Sequence, residues 1–143
     1  MRRLRTQPPG DERGAAAVEF ALIAPLLFML IFGIINFGIA WSQKEVFVQA
    51  AREGARYAAV GCEDGDCGTN GDEVRTRVSN ALVGYQITGG TAAISVSPNS
   101  ACASTNTSDT VEVGWSQQFS INIPFVPPIT VTSPIEAVFR CEV

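Results

Sequence analysis

Glu19 is the only ionisable side chain between Arg13 and Lys44, and it stands at the head of an apolar run that continues almost unbroken to Trp41. A carboxylate carried into a bilayer costs several kcal/mol unless it is paired or protonated, so a chain that keeps one there has a use for it. The other reactive side chains lie further on. Cys62, Cys67, Cys102 and Cys141 make an even set, which two disulfides or one four-thiolate zinc site would use. The C-x4-C spacing with no second short pair speaks against zinc. Sequence alone allows three disulfide connectivities, and the favoured one is Cys62 with Cys67 and Cys102 with Cys141. The first closes a tight loop and the second ties a Ser/Thr-rich loop to the last strand. Asp64, Asp66, Asn70, Asp72 and Glu73 offer oxygen ligands to a hard cation. The EF-hand register fails, because Gly68 stands where a ligand belongs and no Glu closes a twelve-residue loop. A solvated acidic loop with no metal is the expectation.

Catalysis finds little to work with. The chain has no histidine, which removes the commonest general base and any Ser-His pair. No glycine-rich phosphate cradle follows a strand, so no nucleotide or other cofactor is expected. The reading is not an enzyme.

The elements that must carry these residues follow from hydrophobic patterning. Residues 1–14 contain four arginines against Asp11 and Glu12, a net of +2. The remainder has six basic and twelve acidic side chains, a net of −6, giving the chain its −4. Basic residues before a span hold that end in the cytoplasm and send the acidic remainder across. An acidic exported domain with no basic cluster argues against nucleic acid as a partner. From Phe20 to Trp41 the only polar side chain is Asn36, a run long enough to cross about 30 Å of hydrocarbon as a helix. Gly38-Ile39-Ala40 is a small-x-small triplet that signal peptidase could read, but the run is longer than a signal peptide's and Glu19 would be purposeless in it. Pro25 predicts a kink or loosening near Ala21–Leu22, either harmless or a hinge for leaving the bilayer. Trp41 suits an interfacial anchor.

Beyond Trp41 the pattern predicts an amphipathic rod to about Val60, with Phe47, Ala51, Ala55 and Ala58 on one stripe and Gly61 as its cap. A second helix is expected over Asp72–Tyr85, on Val74, Val78, Ala81 and Leu82, with Asp72 and Glu73 at its dipole-favoured end. Alternation predicts strands over Ala92–Ser97, Thr110–Ile121 and Ile129–Glu142, with Pro134 marking an edge or a bulge. The sum is an α+β fold: a long N-terminal helix, a short second helix and a small antiparallel sheet. The divisions are a leader over 1–14, a transmembrane helix over 15–41, its amphipathic extension over 42–60 and an extracytoplasmic domain over 61–143.

Arg13-Gly14 followed by Ala15-Ala16-Ala17-Val18-Glu19-Phe20 resembles the processing site of type IV prepilins and pseudopilins, where an aspartyl peptidase cuts after glycine and the fifth mature residue is Glu. The Glu19-Phe20 pair resembles the tight-adherence branch of these pili. Ala50-Ala51-Arg52-Glu53-Gly54-Ala55-Arg56 resembles the signature that follows the membrane helix in TadE-like minor pseudopilins, and Ala137–Glu142 resembles their C-terminal strand. The resemblance implies a pseudopilin-like fold, a cut between Gly14 and Ala15, and an assembly role for Glu19 and Phe20. It implies a prepilin peptidase, other pilins or pseudopilins, the pilus assembly platform and the membrane as partners. The stripe carrying the signature would pack the protein's own domain, and Arg52, Glu53, Gly54 and Arg56 are also candidates for subunit docking. The expected location is the inner membrane as a single-pass protein, N-terminus in the cytoplasm and C-terminal domain in the periplasm or outside, with a place in the pilus left open.

Three functions compete. The first is a cleaved pseudopilin that joins or primes a pilus. The second is an uncleaved membrane-anchored binding or adhesion module, which would leave Glu19 without a partner. The third is an exported enzyme, for which no site constellation is present.

Overall fold

One helix of 48 residues (α1) covers Glu12–Ala59, taking in the apolar run and the small-residue stripe that follows it. At 1.5 Å per residue it is about 72 Å long, twice the thickness of a hydrocarbon layer. The computed structural model describes residues 12–60, 71–98, 102, 110–124 and 126–141. Pro25 lies inside α1, which continues through it as a single element. Asn36 satisfies its own amide within the helix, donating from Nδ2 to the Phe32 carbonyl oxygen at 2.9 Å.

The two halves of α1 differ in what covers them. From Val18 to Trp41 the large side chains are exposed, whereas Phe47, Ala50, Ala51, Ala55, Ala58 and Ala59 are buried in the core. The stripe expected from the sequence is therefore the packed face, widened by Ala50 and Ala59. Small side chains there let two further elements approach closely.

The first is α2 (Asp72–Ala81), which buries Val74 and Val78 against α1. Asp72 and Glu73 occupy its first turn, where the helix dipole favours acid. Its N-cap is Gly71 in the left-handed region at φ 74°, a conformation that other residues reach at a cost. The helix ends at Ala81, four residues short of the expected Tyr85. Leu82 leaves helical geometry at φ −96°, ψ 48°, and Gly84 turns the chain at φ 84°. Leu82 is buried as expected, but Ala81 is exposed, because the helix stops there and only its Val74–Val78–Leu82 row meets the core.

The second element is an antiparallel sheet in the order β1 (Ser95–Ser97), β2 (Thr110–Ile121), β3 (Ile129–Arg140). β2 has the expected bounds. β1 is shorter than Ala92–Ser97, since Thr91–Ala93 form a 3-10 turn after Gly90. β3 ends at Arg140, before the expected Glu142, which lies outside the described residues. β2 and β3 pair from Thr110↔Arg140 to Ile121↔Ile129 with no break in register, Ser116 opposite Pro134. Pro134 thus marks an edge strand and not a bulge, its missing N–H costing no ladder bond on the outer side.

Side chains on alternate positions of a strand face one way, and Val111, Val113, Trp115, Gln117 and Phe119 all face inward and are buried. Gln117 is the one buried polar residue among the described residues, and its amide is fully used. Its Oε1 accepts from the Thr88 backbone N–H at 3.0 Å and from Trp115 Nε1 at 3.2 Å, while Nε2 donates to the Gln86 carbonyl at 3.2 Å. Thr88 Oγ1 accepts from the Gln118 N–H at 3.1 Å. The chain after α2 is thereby laced to the edge of β2 that β1 leaves uncovered. Phe47 joins helix to sheet, with edge-on rings of Tyr85, Trp115 and Phe119 at 5.7, 6.3 and 5.8 Å.

Candidate functional site: the head of the long helix and its signature turn

Gly14, Ala15, Glu19 and Phe20 all lie on α1, exposed, with no other described element packed over them. The Gly14–Ala15 peptide falls within the first turn, since α1 begins at Glu12. The first four N–H groups of a helix have no intrahelical acceptor, so few helical hydrogen bonds hold the chain at Gly14. Glycine lowers the helical preference there further, by about 1 kcal/mol relative to alanine. Nothing within 4 Å of Gly14 would meet an added Cβ, so packing in the chain itself does not require glycine at this position. Ala15 and Glu19 are four positions apart, on one face and about 6 Å apart along the axis. Residues 1–11, with Arg2, Arg3 and Arg5, lie outside the described residues.

The signature turn is resolved into two kinds of residue. Gly54 and Ala55 are buried, and a Cβ on Gly54 would collide with Val78 Cγ2 of α2. Glu53 is about a third exposed and ties the helices together. Its Oε1 accepts from Arg77 Nη2 at 3.0 Å and from Arg77 Nε at 3.3 Å, and Arg56 Nε lies 3.6 Å from Oε2. The hydrogen bond from Arg77, helped by both cations, holds the Glu53 carboxyl below the ordinary carboxylate value despite some desolvation. Arg77 also stands 5.7 Å over the Tyr57 ring. Gly54 and Glu53 thus have duties inside the subunit. Arg52 and Arg56 are exposed, and Arg52 has no ion pair among the described residues.

At the far end of the domain Cys102 and Cys141 form a disulfide across 39 positions, with Cα atoms 5.5 Å apart. The Cys102 N–H donates to the Ala58 carbonyl at 3.3 Å, so one bridge fastens the last strand, the preceding loop and the end of α1. Two of the four thiols being bonded to each other, the four-thiolate zinc alternative is removed. Cys62 and Cys67 lie outside the described residues, as do Gly61 and the acidic loop members Asp64, Asp66 and Asn70. Two other oxygen donors of that loop are engaged by protein groups: Asp72 Oδ1 pairs with Arg75 Nη1 at 2.9 Å and Glu73 Oε2 accepts from Tyr57 at 3.2 Å. The sequence reading missed Arg77 and Gln117. A buried glutamine beside Trp115 has no sequence signal, and Arg77 looks like any solvated helix cation.

A small α+β domain carried on one long helix, itself long and apolar enough over Gly14–Ala59 to cross a membrane, defines the class of protein. Residues 14–56 match the family model of TadE-like proteins, so that stretch, with Glu19 and the Arg52–Arg56 turn inside it, is TadE-like. Neither a curated protein nor a solved structure matches the chain.

Proposed function

We propose that this chain is a pseudopilin of a tight-adherence pilus, cleaved after Gly14 by a prepilin peptidase and taking part in pilus assembly or priming. The observation that carries the reading is the TadE-like match over a helix whose large apolar side chains in the membrane half are exposed among the described residues. A span whose large side chains from Val18 to Trp41 are exposed suits transfer from lipid to a bundle of like helices. Hydrolysis of the Gly14–Ala15 peptide leaves a carboxylate on Gly14 and a free amine on Ala15. Glu19 of a neighbouring subunit would neutralise that amine and set the axial register, which also relieves the cost of a carboxylate in an apolar setting. Loss of the leader removes its arginines from the anionic membrane face, a hold of about 1 kcal/mol per basic residue. Expressing the chain with Gly14→Arg tests the reading: the precursor accumulates in the membrane and the protein disappears from sheared pilus fractions. Unchanged processing and unchanged pilus association in that variant would refute it.

A further inference from the structure

We propose that the end of the β2–β3 hairpin is a second membrane contact, seated in the lipid headgroup region beside α1, with the cleft between hairpin and helix taking phospholipid. The proposal rests on the reading that α1 spans the bilayer up to Trp41. The hairpin is longer than the helical stripe it packs on. The hairpin runs antiparallel to α1, from the Cys102–Cys141 bridge beside Ala58 to Ile121 beside Trp41. Val111 to Ile121 is about 33 Å of strand, whereas the buried stripe from Phe47 to Ala59 is only about 18 Å of helix. The hairpin therefore overhangs the packed stripe and reaches Phe37, which belongs to the membrane run.

The overhang has the chemistry of an interface. Residues 113–135 contain no charged side chain, while Glu112, Glu136 and Arg140 stand at the other end of the hairpin. Ile129 and Val131 are on the same inward face as Ile135 and Ala137, yet they are 46% and 45% exposed where Ile135 and Ala137 are 1% and 7%. Between this end and the helix lies a cleft of about 190 Å³, lined by Phe37, Trp41 and Lys44 on one side and by Phe119, Ile121 and Val131 on the other. Lys44 Nζ stands 5.9 Å from the Trp41 ring centroid. An apolar cleft with an ammonium and an indole at one end fits an acyl chain below its phosphate.

The backbone fixes the depth. β3 is an edge strand, and β1 covers β2 only from Glu112 to Gly114. Unpaired strand edges are excluded from the hydrocarbon but can be hydrated among headgroups, so the hairpin end lies at the surface layer beside Trp41.

The test uses the full chain in the membranes of producing cells, with the photoreactive p-benzoylphenylalanine placed at Val131, at Phe28 or at Val138, and at Ile129 as a second hairpin position. Lipid adducts at Phe28, Val131 and Ile129, with none at Val138, are the expected result. Adducts at Phe28 but none at either hairpin position overturn the inference and leave the span intact. Adducts of the hairpin positions to a second protein chain, or equal lipid labelling at Val138, overturn it as well. Absence of lipid adducts at Phe28 refutes the span and the inference together.

Discussion

Gly54 of α1 and Val78 of α2 meet so closely that a Cβ on the glycine would collide with Val78 Cγ2. The glycine of the signature turn is thus a packing requirement. Gly54→Ala should destabilise the α+β domain by about 1–3 kcal/mol through overpacking, seen as a lower unfolding midpoint in urea. Adding Val78→Ala should recover part of the loss, since the extra methyl then has room. A Gly54→Ala variant as stable as the parent would show that the helices do not pack this way.

The Glu53–Arg77 link is partly exposed, and such pairs contribute roughly 0.2–1 kcal/mol. Because the Glu53 carboxyl is held below its ordinary value, the contribution is fully present above the unfolded value of about 4.3 and is lost as pH falls through the lower folded value. Arg77→Ala should therefore be less stable than the parent at neutral pH, and the difference should shrink once the carboxyl is protonated. Equal differences at both ends of an acid titration would assign the effect to packing of the Arg77 stem over Tyr57.

Much of this arrangement is legible in the sequence, for identifiable reasons. The apolar run and the Phe47–Ala58 stripe follow from a period that packing reinforces, and β2 has strict alternation ending at turn-forming residues. What sequence did not reveal was decided by tertiary contact. α2 stops at Ala81 because Leu82 turns inward, and Gln117 is buried because its amide serves Thr88, Trp115 and Gln86 together. A sequence does not distinguish a glycine required by its own domain from one required by a neighbour, and the contact of Gly54 with Val78 is visible only in the fold. Glu19 is the opposite case. No other described element packs against it, so its proposed role rests on the TadE-like match around it.

The Cys102–Cys141 bridge should be present in protein recovered from outside the cytoplasm. It closes a long loop and gathers three elements at the end of α1, so its removal should cost about 2–4 kcal/mol. Cys102→Ser or Cys141→Ser should lower the steady-state level of the protein more than Cys62→Ser. Free thiols at Cys102 and Cys141 in the native protein, found by alkylation and mass measurement, would contradict the bridge.

Glu19→Gln removes the charge with little change in shape. The variant should insert in the membrane with an unaltered α+β domain, while pilus assembly is lost. Normal piliation in cells whose only copy carries this substitution would separate Glu19 from assembly.

The N-terminal residue of the mature protein tests the central claim most directly. Chains extracted from the membranes of pilus-producing cells should begin at Ala15 by terminal sequencing or intact mass, and the Met1 form should accumulate when the prepilin peptidase is absent. A chain that begins at Met1 in those cells would contradict the pseudopilin account and favour an uncleaved anchor, and one that begins at Trp41 would contradict it in favour of signal peptidase and a secreted domain.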